Sequence, residues 1–214
     1  MTHPSERLQA LSALYARRAP IYDLELLPVA PLRREAIAAL ALEPGQTVLD
    51  VGCGTGLSLP DLAQGVGPQG RIVAIEPCDA MMARARRRVA ELQHAPRMHW
   101  IETPAESASL DTWLPPASAD AALFFFTHDV LQQPQALAQA MRALKPGARV
   151  VAAGLVWASP WWPMSNLFVL GAAMHSIVCA ERLDCPWHDL TPRLSAWEVE
   201  RRWLESAYVL TGRR

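Results

Sequence analysis

Residues 48–56 read VLDVGCGTG, an apolar run carrying a carboxylate and followed by three glycines within five positions. Glycine has no Cβ, so Gly52, Gly54 and Gly56 permit positive φ and close approach of backbone to another group. The preceding TVLDV reads as a buried strand, LPDLAQGV (59–66) as a short helix and RIVAIEP (71–77) as a second buried strand. A strand, helix and strand within about thirty residues imply a parallel pair with a right-handed crossover. In such a sheet, ligands lie beyond the carboxyl ends of the strands, which is where these glycines sit. Glu76 ends the second strand twenty residues after Gly56, a position from which an acid accepts hydrogen bonds from two ribose hydroxyls. Alone, a glycine turn of this kind is also what any α/β protein uses to change direction. The spacing is G-x-G-x-G, unlike the dinucleotide and phosphate-loop fingerprints, and no lysine follows to hold terminal phosphates.

Outward from this unit the alternation continues. A helix is expected over 80–93, strands over 97–102 and 121–126, a helix over 135–144 and a strand over 148–154, with KPG (145–147) turning into the last. WEVERRWLE (197–205) and SAYVLTGRR (206–214) read as an antiparallel edge hairpin. The fold class is therefore α/β: a doubly wound three-layer sandwich with a mostly parallel sheet and an antiparallel C-terminal edge hairpin. Helices over Ser5–Ala19, stopped by Pro20, and Pro31–Leu42 precede the sheet. The reading is one domain over 1–214, with an N-terminal helical cap (1–44) and an insertion (155–190) over the substrate pocket.

The totals narrow the function. The chain has 214 residues, is 51% hydrophobic and carries a net charge of −1, so it buries a full core and has no global attraction to nucleic acid. The basic run RARRR (84–88) reads as a solvated helix face. Cys53, Cys78, Cys179 and Cys185 form no C-x-x-C pair, and the N-terminus lacks a secretory signature, so the expected location is cytoplasmic. The apolar stretch Leu167–Ala180 is short of the roughly twenty residues a membrane span needs, so no stable membrane insertion is expected. The six histidines show no metal-ligand spacing, and no metal is expected.

VLDVGCGTG, IVAIEPCDAMM (72–82) and LKPGARVVAAG (144–154) together resemble the class I S-adenosylmethionine-dependent methyltransferases, from about Tyr15 to the C-terminus. The resemblance implies the Rossmann-like methyltransferase fold, S-adenosylmethionine as cofactor and S-adenosylhomocysteine as product. It places Asp50, Gly52, Cys53, Gly54 and Gly56 around the methionine part of the cofactor and Glu76 on its ribose. Pro77, Met81 and Phe124 are expected beside it, and Tyr22 in an N-terminal segment that folds over it. Many members carry GDAE after the third strand to hold adenine; here TPAE (103–106) leaves the backbone N–H of Ala105 and the carboxylate of Glu106 as candidate partners.

Methyl transfer from a sulfonium is a direct displacement, helped by in-line positioning in a dry pocket. His128 and Asp129, just after the fourth strand, are the candidate catalytic pair, since an imidazole can take a proton from the acceptor. The plainer reading is that Thr127 or Asp129 only caps the next helix. Trp157, Trp161 and Trp162 follow the fifth strand and, with Tyr15 and Asn166, are the candidate substrate residues; His175 is a candidate accessory group, and the rings equally suit sealing the insertion onto the domain. The expected partner is a small-molecule acceptor, and a homodimer is compatible with the apolar insertion. A binding protein that keeps the cofactor site without chemistry, as a sensor or partner subunit, is the alternative.

Overall fold

The structure, a computed structural model, describes residues 23–176 and 182–214. The expected helix over Ser5–Ala19, both Tyr15 and Tyr22, and Cys179 lie outside these residues, as does the side chain of His175.

Among the described residues seven strands form one sheet: β1 (Thr47–Val51), β2 (Arg71–Ile75), β3 (Arg97–Ile101), β4 (Ala119–Phe125), β5 (Leu144–Leu155), β6 (Ala196–Arg202) and β7 (Ala207–Arg213). Their order is β3-β2-β1-β4-β5-β7-β6. The first five are parallel, and β7 pairs antiparallel with both β5 and β6. Strand order reverses between β1 and β4, which puts the glycine turn at the switch point where open α/β sheets bind ligands.

Side chains alternate across the strands, and both faces are covered. Val48, Ile72 and Leu123 pack in one layer with α1 (Ala30–Ala39), α2 (Leu59–Val66) and α3 (Asp79–Ala90). Leu49, Val51, Val73, Ile75 and Phe124 pack in the other with Leu137 and Ala140 of α5 (Pro134–Ala143). Between β4 and α5 lies a single helical turn, α4 (His128–Leu131). Each fully buried aliphatic or Phe side chain contributes about 1.5–3 kcal/mol, so the two layers supply most of the folding drive.

Proline at the first turn starts α1, α2 and α5, where its missing N–H costs nothing. Helix α2 spans the expected residues. Helix α1 stops at Ala39, three residues short of the expected end, because Ala41 takes a φ of 43°. Strand β5 starts at Leu144, four residues early. Ala119 pairs with Leu144 and Ala121 with Arg149, so Lys145–Ala148 bulge out inside the strand span instead of forming a separate turn.

The segment between β5 and β6 carries α6 (Pro163–Ser176) and is anchored by buried Val169, Leu183 and Leu190. The far edge strand β6 is tied back to α1 by Arg202 Nε donating to Glu35 at 2.8 Å.

Candidate cofactor-binding site

The glycine turn is pinned to the end of β2 by main-chain bonds. The N–H groups of Gly52 and Cys53 both donate to the Ile75 carbonyl, at 2.8 and 3.0 Å. Glu76 then reaches back: one carboxylate oxygen accepts the Gly54 N–H at 3.1 Å and the other accepts the Cys78 N–H at 2.9 Å. Each oxygen retains a second lone pair for a ligand hydroxyl. Glu76 is 9% exposed; burial raises its pKa, and the two N–H bonds partly offset that shift.

Gly52 has a φ of 76°, and a Cβ there would lie 2.3 Å from Thr127 Cγ2. Only a glycine lets the β1 turn and the β4 exit approach this closely. Thr127 follows Phe126, which holds a φ of 57°, a strained backbone position at the rim of the site.

Asp50, 2% exposed at the head of this turn, has an Oδ2 with no hydrogen-bond partner. Burial, with a smaller push from the Glu76 charge, raises its pKa to about 7. Thr127 Oγ1 and Asp129 Oδ1 are also buried without partners. Three polar atoms without partners among the described residues, from the exits of β1 and β4, thus stand where the sheet order reverses. Such groups are costly to bury unless a ligand meets them.

A family described as a methyltransferase domain matches residues 48–147. A 2-phytyl-1,4-naphtoquinone methyltransferase of Synechococcus elongatus is 33% identical over 165 residues, covering 74% of this chain and 68% of the relative. The chain belongs to the class I S-adenosylmethionine-dependent methyltransferases. An uncharacterized 37.1 kDa protein in a transposon of Streptomyces fradiae is 38% identical over 123 residues, 56% of this chain; the match spans only 33% of that longer protein. The fold is shared with a SAM-dependent methyltransferase from Aquifex aeolicus at a TM-score of 0.62 and 19% identity, covering 91% of this chain and 97% of the other.

The residues present fit the methyltransferase donor. The lone pairs remaining on Glu76 suit a ribose diol, the glycine turn leaves main chain open to an amino acid, and the unpartnered Asp50 carboxylate suits an ammonium or sulfonium. Met81 is buried beside Cys78 just past Glu76, and Pro77 is exposed. Cys53 is buried, and burial pushes its thiol pKa up, so it packs rather than reacts. Ala105 is buried in the turn after β3, and the Glu106 carbonyl accepts Gln139 Nε2 at 2.7 Å, fixing that turn on α5. Phe124 has no exposed surface and belongs to the α5 layer; its neighbour Phe125 faces α1 instead.

On the acceptor side, His128 is 9% exposed at the start of α4, its Nε2 lying 2.6 Å from the side-chain nitrogen of Gln132. Burial raises the Asp129 pKa, and His128 opposes that shift. Trp157 is half-buried and held through its main chain, donating to the Leu183 carbonyl and accepting from Arg201. Trp161 is 88% exposed, and Trp162, Met164, Leu167, Phe168 and Leu170 are exposed beside it. Asn166 spends both ends of its amide on the main chain of Ala158, at 2.8 and 3.1 Å, and so holds the insertion's turn.

Sequence reasoning missed Arg33, Gln132 and the contact of Thr127 with Gly52. For Arg33 a signal was present, because Val29, Arg33, Ala36 and Leu40 fall on one helical stripe whose other members are apolar and buried.

Proposed function

We propose that this chain is an enzyme that moves a methyl group from S-adenosylmethionine to a small, largely apolar ring-bearing acceptor of the quinol type. The observation that carries the methyl-transfer reading is the Glu76 carboxylate bound to the Gly54 and Cys78 N–H groups, with the unpartnered Asp50 beside it. The acceptor class is supported by the relative's naphthoquinone substrate and by residues 150–180, which contain no Lys, Arg, Asp or Glu and among which Trp161, Met164, Leu167 and Phe168 are exposed.

When bound, the donor supplies a methyl carbon activated for in-line displacement by its sulfonium sulfur. Glu76 fixes the sugar, and the glycine turn fixes the amino acid end, so the orientation of the methyl group is set before the acceptor arrives. His128 takes the acceptor's proton. That role requires the Gln132 carboxamide oxygen to face Nε2–H, so that Nδ1 offers its lone pair to the proton. The aromatic side chains of the insertion exclude water from the reacting atoms.

No helix among the described residues is long and apolar enough to cross a membrane. A reducing, cytoplasmic setting is the reading that Cys53 and Cys185, free thiols among the described residues, support.

Purified protein incubated with isotopically labelled S-adenosylmethionine and a panel of a short-chain naphthoquinol, a catechol, an amine and a thiol tests this. Mass spectrometry should find label in the naphthoquinol with formation of S-adenosylhomocysteine. Tight donor binding without transfer to any of the four would favour the sensor instead.

A further inference from the structure

Arg33 is a buried cation that the roles above leave unused. It stands one turn into α1, whose last residue, Ala39, accepts Arg149 Nη1 near the start of β5. Helix α1 therefore runs antiparallel to the strands and brings Arg33 toward their carboxyl ends. There its guanidinium carbon sits 6.0 Å from the ring centre of Phe125, the last residue of β4. Arg33 is 8% exposed, and neither Nε nor Nη1 has an acceptor among the described residues.

The nearby acids do not meet this need. Asp23 attracts Arg33 but is engaged by Arg88 at 2.6 Å and by the Thr55 hydroxyl of the glycine turn. Asp61 attracts it without forming an ion pair, and Arg34 and Arg88 add repulsion. A guanidinium stays charged when buried, so two unmet N–H donors call for an anion from outside the described residues.

The position selects that anion. Asp50 and Arg33 are both buried with unpartnered atoms and carry opposite charge types. They flank the same strand end: Asp50 pairs with Leu123 of β4, and Arg33 covers Phe125, two residues further along. A buried acid and a buried guanidinium around one strand tip are what the ammonium and carboxylate of an α-amino acid require, and the planar guanidinium fork matches a carboxylate. We infer that Arg33 is the receptor for the carboxylate of the donor's methionine moiety. The inference rests on the methyl-transfer reading.

The test compares S-adenosylmethionine with its decarboxylated form by calorimetry in the wild type, Arg33→Met and Arg33→Lys. The wild type should prefer the carboxylate-bearing nucleoside at least tenfold; Arg33→Met should bind the two alike, and Arg33→Lys should fall between. Thermal melting of Arg33→Met should be unchanged or raised, since an unpaired buried cation is replaced by an apolar side chain of similar length. Retention of the full preference in Arg33→Met overturns the assignment, and a raised acceptor KM in that case would assign the anion to the acceptor. A wild type that binds both nucleosides but never discriminates between them overturns this inference alone; one that binds neither overturns the methyl-transfer reading as well. Should Arg33→Met fail to fold, Arg33→Gln, which also removes the charge, takes its place with the same expected and overturning results.

Discussion

Glu76 and Gly54, 22 residues apart in sequence, are joined by a 3.1 Å hydrogen bond that ties the end of β2 to the turn after β1. The same carboxylate holds Cys78 at the head of α3, so one side chain shapes both walls of the proposed sugar site. Glu76→Ala should weaken S-adenosylhomocysteine binding well over tenfold, because each hydrogen bond to a charged group is worth about 1.5–3 kcal/mol. Calorimetry giving an unchanged affinity would remove Glu76 from the site. Glu76→Gln, which keeps one acceptor oxygen, should lose less.

Asp50 makes the ligand-free protein sensitive to pH. Its pKa is about 7 in the folded state against 3.8 for an ordinary aspartate, so between roughly pH 4 and 7 the folded chain holds a proton that the unfolded chain has released. Stability from this group is therefore greatest near the acid end of that window and falls as pH rises toward 7, by up to about 1.4 kcal/mol per pH unit. Above pH 7 both states are ionised and the slope vanishes. Melting temperatures of wild type and Asp50→Asn, measured from pH 5 to 8.5, should converge at low pH. The variant should be the more stable of the two above pH 7; parallel curves would contradict the shifted carboxyl.

Gly52 and Thr127 are coupled sterically. A methyl at residue 52 would meet Thr127 Cγ2 at 2.3 Å, whereas Thr127 Cβ lies at 3.5 Å, an ordinary contact. Gly52→Ala should destabilise the fold by about 1–3 kcal/mol, from the positive φ and the collision together. Adding Thr127→Ser removes Cγ2 and should restore the steric share only, leaving the backbone share. Urea unfolding of the two single variants and the double would show this as a favourable coupling energy of about 1 kcal/mol. Strict additivity would mean that the turn moves aside.

Most of the sheet was legible because its strands are short, apolar on both faces and punctuated by glycine and proline. The β1 to β2 unit needed only hydrophobic runs and a glycine turn, and α2 carries a proline in its first turn. The start of β5 was hidden because KPG has the chemistry of a turn whether it separates two elements or bulges within one strand. Glu76 and the glycines could be placed because a strand end fixes their position. Arg33 was passed over because an arginine in an amphipathic helix is usually solvated; its place on the stripe of Val29, Ala36 and Leu40 was the signal, and its packing against Phe125 shows the burial. Asn166 was expected as an accessory polar group of the pocket if the insertion covers it; its amide also holds a local turn, through bonds that sequence spacing does not reveal.

His128 and Gln132 offer the sharpest test of the acceptor side. They are one turn apart, with side-chain nitrogens 2.6 Å from each other, so the orientation of the Gln132 amide decides which ring nitrogen of His128 carries its proton. If the amide oxygen faces Nε2–H, His128 can act as a base through Nδ1. Replacing His128 by Gln should then lower kcat by about 10²–10⁴-fold while S-adenosylhomocysteine affinity stays within twofold. Gln132→Leu removes the tautomer lock without removing the base, so kcat should fall less and its dependence on pH should move. Under a purely structural role for the pair, both variants would lower the melting temperature and neither would alter the pH profile of kcat. Measuring the profile in His128→Gln, Gln132→Leu and wild type therefore separates a proton acceptor from a packed imidazole.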